Sequence, residues 1–370
     1  FNEDTFFIAY QRIYAKQGNM TPGTDGKTVD QMSVQRIETL IESLKSEAYQ
    51  PKPARRVYIP KKNGKERPLG IPSFEDKLVQ EVVRMILEAI YEGHFEYTSH
   101  GFRPHRSCHT ALAQIQEKFT GIKWFIEGDI KGFFDNIDHD ILVDTLRERI
   151  CDERFLRLIR KFLKAGYIEQ WRFHKTYSGT PQGGIVSPIL ANIYLDRFDK
   201  YIKEYAENFN KGERRRISSE YRRLNNKKTR LAKKLKSITD ESVRDKMITE
   251  IKETLAQTFI TPCQDPMDTE YRRIQYVRYA DDFLIGIIGS KTECIKIKAD
   301  IAKFMTEKLR LELSEEKTLI TSAHDKAKFL GYEAFVRNCN FRHKDSKGVM
   351  RGYEAFRKRL GHATRKYGYS

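Results

Sequence analysis

Residues 276–288, with the sequence YVRYADDFLIGII, join two β-rich apolar runs through a segment that carries adjacent acids at Asp281 and Asp282. This pattern predicts a β-hairpin whose strands are buried in a sheet. The two acids then lie at the tip, where their like charges repel each other. A cation beside them would relieve the repulsion, and Mg²⁺ is the oxygen-preferring ion usual where a substrate carries phosphates.

A bare Asp-Asp pair is more often a solvated turn, because Asp is a common turn former. A third acid changes this interpretation. Residues 124–130 (WFIEGDI) form another β-like apolar run, and Asp129 lies near its end. Neighbouring strands that end in carboxylates would hold two metal ions about 3.5–4 Å apart, the arrangement used for in-line phosphoryl transfer. Asp129, Asp281 and Asp282 are therefore the candidate catalytic and metal-binding residues.

Tyr-Ala-Asp-Asp on a hairpin resembles the signature of reverse transcriptases, and the surrounding blocks resemble the group II intron-encoded reverse transcriptases, or maturases. The blocks follow the order of that family and cover nearly the whole chain. They are residues 56–62 (RVYIPKK), 67–72 (RPLGIP), 100–104 (HGFRP), 129–135 (DIKGFFD), 179–184 (GTPQGG), 279–282 (YADD) and 329–332 (FLGY). Each string alone is weak, whereas the ordered set is specific.

The resemblance implies an α+β right-hand polymerase fold with fingers and palm, in which an antiparallel palm sheet packs on helices. Asp129 and the hairpin are expected on adjacent central strands. The predicted divisions are a helical N-terminal extension (1–50), fingers (51–120), a first part of the palm with the catalytic Asp and a glutamine loop (121–204), a basic helical insertion (205–272), the palm with the YADD hairpin (273–336) and the start of a connection to a missing thumb (337–370). The chain is therefore expected to be a fingers-and-palm fragment.

The resemblance also implies that Lys62, or its neighbour Lys61, and Arg67 contact the phosphates of the incoming nucleotide. Residues 51–72 agree with this role, since they form a basic strand-like segment with a hairpin-turn signal at Asn63 and Gly64. Lysine and arginine side chains pair with phosphate oxygens. Without the family context, a solvated basic hairpin explains the pattern equally well.

Further site residues follow from the same resemblance. Phe134 matches an aromatic residue that lies beneath the nucleotide sugar, where it would collide with a 2′-hydroxyl and so select deoxynucleotides. Gln182 is implied beside the sugar, Lys317 near the leaving pyrophosphate, and the backbone carbonyl of Ile130 as an extra metal ligand. From residue type alone, Phe133 and Phe134 are ordinary core aromatics, and Lys317 is a surface lysine.

The implied activity is that of an RNA-directed DNA polymerase, a nucleotidyltransferase that extends a DNA primer on an RNA template with deoxynucleoside triphosphates. Two Mg²⁺ ions, which Mn²⁺ could replace, would activate the primer 3′-hydroxyl and neutralise the triphosphate. The family also implies binding of group II intron RNA to assist splicing and mobility. The alternative is a non-catalytic RNA-binding splicing cofactor, and the presence of all three acids favours activity. Phe134 and the block order disfavour an RNA-dependent RNA polymerase.

Residues 205–272 interrupt the polymerase pattern with a strongly basic segment. Between residues 211 and 236 there are 12 Lys or Arg and 2 acids, and apolar residues recur at heptad-like spacing. This predicts an antiparallel helical hairpin with a basic outer face. Because the charge is predominantly positive rather than mixed, we expect this helix pair to contact the phosphates of structured RNA. The alternative is a solvated charged helix pair. The candidate RNA-binding residues are Arg214, Arg215, Arg216, Arg222, Arg223, Lys227 and Lys228.

The 370-residue chain carries a net charge of +17, and this balance favours a nucleic acid before a membrane. No apolar stretch reaches the roughly 20 residues of a spanning helix, so no membrane partner is expected. No signal peptide is visible, and the 5 cysteines lack C-x-x-C spacing. A reducing compartment, the bacterial cytoplasm or an organelle, fits best. The pattern leaves the oligomeric state open.

Overall fold

The computed structural model describes residues 1–15, 18, 20–60, 64, 66–169, 172–176, 178–179, 183–238, 240–265 and 268–336, with the backbone of 342–344 and 350–352. Its α-helices are α1 (Glu3–Tyr14), α2 (Val34–Lys45), α3 (Phe74–Tyr91), α4 (Cys108–Lys118), α5 (Phe133–Asn136), α6 (His139–Arg147), α7 (Glu153–Lys164), α8 (Ser187–Phe209), α9 (Ser219–Leu235), α10 (Glu241–Ile260) and α11 (Lys291–Leu309). Its strands are β1 (Ala54–Pro60), β2 (Glu66–Ile71), β3 (Trp124–Gly128), β4 (Tyr167–Glu169), β5 (Arg172–His174), β6 (Arg273–Tyr279), β7 (Asp282–Ile288), β8 (Leu319–Ser322), β9 (Ala327–Phe329), β10 (Tyr332–Ala334), β11 (Arg342–Lys344) and β12 (Met350–Gly352).

Four antiparallel strands form the palm sheet in the order β6, β7, β3, β8. Strands β7 and β3 are therefore the two central strands, as the sequence predicts. Side chains of β7 alternate between two cores: Phe283 and Ile285 face the core that includes α8 and α11, whereas Leu284 faces α4 and the β9–β10 hairpin. A strand covered on both faces reads as a continuous apolar run. The α+β fold class is confirmed.

A second sheet has the order β2, β1, β4, β5 and joins strands of the predicted fingers segment with two strands of the segment predicted as the first part of the palm. The predicted hairpin of β1 and β2 is present, with Ile59 opposite Arg67. The chain also forms the β4–β5 hairpin, in which β4 runs parallel to β1. Strands of three residues are too short to show alternation, and their pairing depends on a strand far away in the sequence.

Strands β9 and β10 form another antiparallel hairpin. Leu330 and Gly331 have φ angles of +52° and +76°, and they reverse the chain between β9 and β10. Two consecutive positive φ angles match the twist of a tight two-residue hairpin turn. Glycine takes this conformation easily, but Leu rarely does, so the local sequence did not predict the turn.

The insertion forms the predicted helical hairpin from α9 and α10. Leu224 and Leu231 of α9 are buried, and Lys227 pairs with Glu250 of α10 at 2.8 Å. At the start of α10 the apolar side chains are less covered, since Val243 is 42% exposed. Val243 lies in the first turn of α10, beside the loop, where α9 has ended. Among the described residues, every helix is too short or too polar to span a bilayer.

Candidate active site

The tip of the β6–β7 hairpin is a tight turn in which Tyr279 pairs with Asp282. Ala280, the first residue of the turn, is buried and has a φ angle of +56°, a region that residues other than glycine seldom occupy. The guanidinium of Arg278 donates a hydrogen bond of 2.8 Å to the Ala280 carbonyl. The turn is therefore held from the protein interior, and it presents the carboxylates of Asp281 and Asp282 at its end.

Strand β3 brings the third acid to the same end of the sheet. Gly128 pairs with Phe283, so the next position of the antiparallel register sets Asp129 opposite Asp282. A Cβ atom at Gly128 would overlap the Phe283 ring, which explains the glycine before the acid. The structure thus brings Asp129, Asp281 and Asp282 together, although they are far apart in the sequence.

The electrostatics of the three acids show how closely they interact. Burial, with the charges of Asp281 and Asp129, raises the pKa of Asp282 to about 6. Burial also raises the pKa of Asp281, with a further contribution from Asp129, while Arg67 and Lys317 act in the opposite direction. Buried, mutually repelling carboxylates are typical of functional sites. A cation placed among them would favour their ionised forms.

Lys317 already supplies one cation at this site. Its ammonium donates a hydrogen bond of 2.9 Å to Asp129 Oδ2, and its side chain remains 64% exposed. This hydrogen bond raises the pKa of Lys317. In the described part of the chain, no three His, Cys, Asp or Glu side chains are yet grouped closely enough to hold a metal ion. In this arrangement Asp129 Oδ2 is paired with the Lys317 ammonium.

The donor chemistry of the site nevertheless fits a hard divalent cation. All three side chains offer carboxylate oxygens, which Mg²⁺ prefers. Ile130 is buried and forms an isolated bridge with Leu313. The hydrogen bonds of that bridge use the Asp129 carbonyl and the Lys131 amide, so the bridge does not occupy the Ile130 carbonyl. This oxygen is a candidate fourth donor.

Of the predicted nucleotide contacts besides Lys317, the structure describes Arg67 and Phe134. Arg67 is exposed on β2 and lies close enough to lower the pKa of Asp281. Phe134 is half-buried, and its ring makes an edge contact with the core residue Phe133 at 5.3 Å between centroids. Lys62 and Gln182 lie outside the described residues.

Two glycines of the glutamine loop lie close to the backbone of other segments. Gly179 has a φ of +85°, and a Cβ atom there would lie 2.6 Å from the Phe134 carbonyl oxygen. Gly183 has a φ of +106°, and a Cβ atom there would lie 2.6 Å from the Gly70 carbonyl oxygen of β2. Sequence reasoning missed His139, a buried residue whose Nε2 lies 2.8 Å from the Gly179 carbonyl. The described ends of this loop therefore lie against Phe134 and against β2.

The candidate RNA-binding residues of the insertion differ in their surroundings. Arg215 donates to the Gly121 carbonyl at 2.7 Å, Arg216 pairs with Asp268 at 3.2 Å, and Lys227 pairs with Glu250. Lys228 is half-buried, as are Arg215 and Lys227. The exposed members without an ion pair to any acid that the structure describes are Arg214, Arg222 and Arg223. These three are the cations most available to a phosphate backbone.

Residues 59–234 and 251–334 match a family model described as "Reverse transcriptase (RNA-dependent DNA polymerase)". The match covers well over half of the chain, which therefore belongs to the reverse transcriptase family. The prediction made from the ordered motifs is confirmed.

Individual relatives narrow the family further. The chain is 50% identical over 335 residues to the group II intron-encoded protein LtrA of Lactococcus lactis subsp. cremoris, covering 90% of this chain and 55% of LtrA. It is 42% identical over 337 residues to the putative COX1/OXI3 intron 1 protein of Saccharomyces cerevisiae, covering 90% and 39%. It is 36% identical over 336 residues to protein YkfC of Escherichia coli, covering 88% and 79%. The chain spans about half the length, or less, of the first two relatives.

Proposed function

We propose that this chain is the catalytic core of a group II intron reverse transcriptase, an RNA-directed DNA polymerase that extends a DNA primer on an RNA template. The observation that carries the proposal is the meeting of Asp129, Asp281 and Asp282 at the ends of the central palm strands. Such an arrangement suits the in-line transfer of a nucleotidyl group to a primer hydroxyl. Template choice comes from base pairing, so the protein must supply geometry and positive charge.

Two divalent cations, Mg²⁺ or Mn²⁺, would supply charge neutralisation and activation of the primer 3′-hydroxyl when bound. The chain's own ligands for them are the carboxylates of Asp129, Asp281 and Asp282, with the Ile130 carbonyl. For Asp129 to take part, its carboxylate turns from Lys317 toward the hairpin. The released Lys317 ammonium then stays near the triphosphate, where a cation stabilises the leaving pyrophosphate.

Nucleotide recognition is assigned to four side chains. Arg67, with Lys62, pairs with the triphosphate oxygens, because Arg and Lys are the natural partners of phosphate. Gln182 contacts the sugar. The Phe134 ring occupies the space that a 2′-hydroxyl would need, so the site prefers deoxynucleotides.

The same protein binds group II intron RNA in this proposal. The names of two relatives place them in introns, and the basic α9–α10 hairpin offers a surface for RNA phosphates. A splicing cofactor without catalysis is the alternative, favoured by the same basic surface. The three carboxylates distinguish the two, because RNA binding alone needs no cluster of partly buried acids.

Primer extension on an RNA template tests the proposal. Asp281→Asn is expected to reduce nucleotide incorporation by several orders of magnitude while RNA affinity stays within about twofold, since a neutral amide preserves the shape but not the ligand charge. Asp140→Asn serves as the control, because Asp140 is an exposed acid that pairs with Arg160 on the surface. Full activity in Asp281→Asn would refute the assigned site and favour the non-catalytic cofactor.

A further inference from the structure

Arg278 carries the largest fully buried side chain of the described residues. It is 0% exposed, and so is the side chain of its partner Asp199 on α8. Arg278 Nε and Nη2 donate to the two carboxylate oxygens at 2.8 and 2.6 Å. Removing such a pair from water costs several kcal/mol, so a buried ion pair is weak evidence for stability. A positional role accounts better for its presence.

The geometry around Arg278 indicates that role. Its Nη1 donates to the Ala280 carbonyl at 2.8 Å and to Asn192 Oδ1 at 3.2 Å. Asn192 in turn donates to the Gly101 carbonyl at 2.7 Å. Gly101 packs directly against the Ala280 amide, where a Cβ atom would overlap the backbone nitrogen. The turn is therefore hydrogen-bonded by Arg278 at the Ala280 carbonyl and packed against Gly101 at the Ala280 amide.

The backbone of Arg278 is fixed as well. Its amide donates to the Thr98 carbonyl at 2.8 Å, and its own carbonyl accepts from the His100 amide at 2.9 Å. Nη2 donates a further bond of 2.8 Å to Ser99 Oγ. One side chain thus connects β6, α8, the 98–101 loop and the turn that precedes Asp281.

We infer that Arg278 is a positioning residue that holds the catalytic turn in its left-handed conformation and so preorganises Asp281 and Asp282 for divalent cations. The inference rests on the proposed function, since it assigns those acids to the metal site. A φ angle of +56° is unfavourable for Ala280, and the repulsion between Asp281 and Asp282 also disfavours this turn. The turn therefore needs support from neighbouring residues. Mutation of residues that contact metal ligands and orient them typically lowers metal affinity by about 10- to 100-fold.

Arg278→Lys is the first test variant. Lysine keeps a positive charge beside Asp199, but its single ammonium cannot form the planar fork that reaches the carboxylate and the Ala280 carbonyl together. Tyr276→Phe is the matched control, because it removes a 2.7 Å bond to the same Asp199 Oδ1 without touching the turn. Electron paramagnetic resonance of free Mn²⁺ gives the metal affinity without nucleic acid, and single-nucleotide extension gives kcat and KM.

Arg278→Lys is expected to weaken Mn²⁺ binding by about 10-fold or more and to lower kcat by about 100-fold, the effect of a displacement near 1 Å. The KM for the deoxynucleotide should change less than threefold or so, because triphosphate contacts lie elsewhere. Tyr276→Phe should leave Mn²⁺ affinity and kcat within about twofold. Equal effects of the two variants would overturn the inference.

A second variant separates positioning from the burial of charge. Arg278→Met combined with Asp199→Met removes both charges, a replacement that folded proteins often tolerate. It should lose Mn²⁺ affinity as Arg278→Lys does, whereas wild-type affinity in this folded double variant would also overturn the inference. Failure of the proposed function would give a different result, since Asp281→Asn would then extend primers normally.

Discussion

The ammonium of Lys317 lies 2.9 Å from Asp129 Oδ2 and forms an ion pair with a carboxylate that we propose as a metal ligand. The lysine therefore competes with a divalent cation for this carboxylate. Lys317→Met is expected to tighten Mn²⁺ binding in the free protein by about fivefold at most, because exposed ion pairs contribute at most about 1 kcal/mol. The same variant should slow nucleotide incorporation, since the pyrophosphate loses a neighbouring cation.

Calorimetry of Mn²⁺ binding and single-turnover extension measure the two effects. Lys326→Met is the control, because Lys326 is equally exposed at 63% and pairs with Glu333 on β10, away from the acids. The control should change neither quantity. Weaker Mn²⁺ binding in Lys317→Met would contradict the competition.

The raised pKa of Asp282, about 6, predicts how stability depends on pH. An Asp in the unfolded chain ionises near pH 3.9, so between about pH 4 and 6 the unfolded state loses this proton while the folded state keeps it. The free energy of unfolding therefore decreases as the pH rises from about 4 to 6, by about 2 kcal/mol from this group. Asp282→Asn is expected to raise the free energy of unfolding by about 1–2 kcal/mol at pH 7 and to change it little at pH 4.

Urea unfolding at both pH values without divalent cations tests this prediction. Asp140→Asn, a substitution at an exposed acid, should leave the stability within about 0.5 kcal/mol at either pH. A gain of the same size at pH 4 and pH 7 would exclude ionisation as its cause. The expected loss of activity in Asp282→Asn makes this a case of stability given up for function.

The contact between Gly101 and the hairpin turn predicts a strong position-specific effect. A Cβ atom at Gly101 would overlap the Ala280 nitrogen and lie 3.0 Å from the Tyr279 carbonyl carbon. Gly101→Ala should displace the turn, with a loss of about 1–3 kcal/mol of stability and about 100-fold in kcat. Gly93→Ala is the control, since a Cβ atom there has no neighbour within 4 Å among the described residues. Thermal unfolding and primer extension measure both variants, and equal behaviour would refute the contact.

The sequence predicted the palm well because its signals are strong and local. Two long apolar runs that each end in acids require buried central strands, and the structure places β3 beside β7. The buried Arg278–Asp199 pair was not predicted, because its members are 79 positions apart in the chain and an acid in a helix usually indicates a solvent face. One signal was available: an Arg inside a continuous apolar strand needs a buried partner.

The position of Phe134 predicts a change of sugar selectivity. Phe134 is half-buried and its carbonyl oxygen lies close to Gly179 of the glutamine loop, and in our proposal Phe134→Val would open the space that a 2′-hydroxyl needs. The discrimination against ribonucleotides, measured as a ratio of kcat/KM values, should fall by about 10- to 100-fold. Phe133→Leu is the control, because Phe133 is a core residue exposed by only 2%. It should cost about 1 kcal/mol of stability without changing the ratio, and a similar ratio change in both variants would contradict the assignment.

The exposed cations of the insertion predict an effect on RNA binding that is separate from synthesis. Arg222 and Arg223 are exposed at the start of α9, so charge reversal of both to Glu should weaken binding of structured intron RNA by at least about 10-fold. The slope of log Kd against log salt should decrease by about 1.5, because each phosphate contact contributes roughly 0.7–0.9. Extension of a short primer-template should stay within about twofold. Arg244→Glu with Lys246→Glu makes the same change of net charge at exposed positions of α10 and should affect RNA binding less. Equal losses of RNA affinity in the two pairs would show that net charge, rather than this face of α9, attracts the RNA. A loss of synthesis as large as the loss of RNA affinity would show that the two effects are not separate.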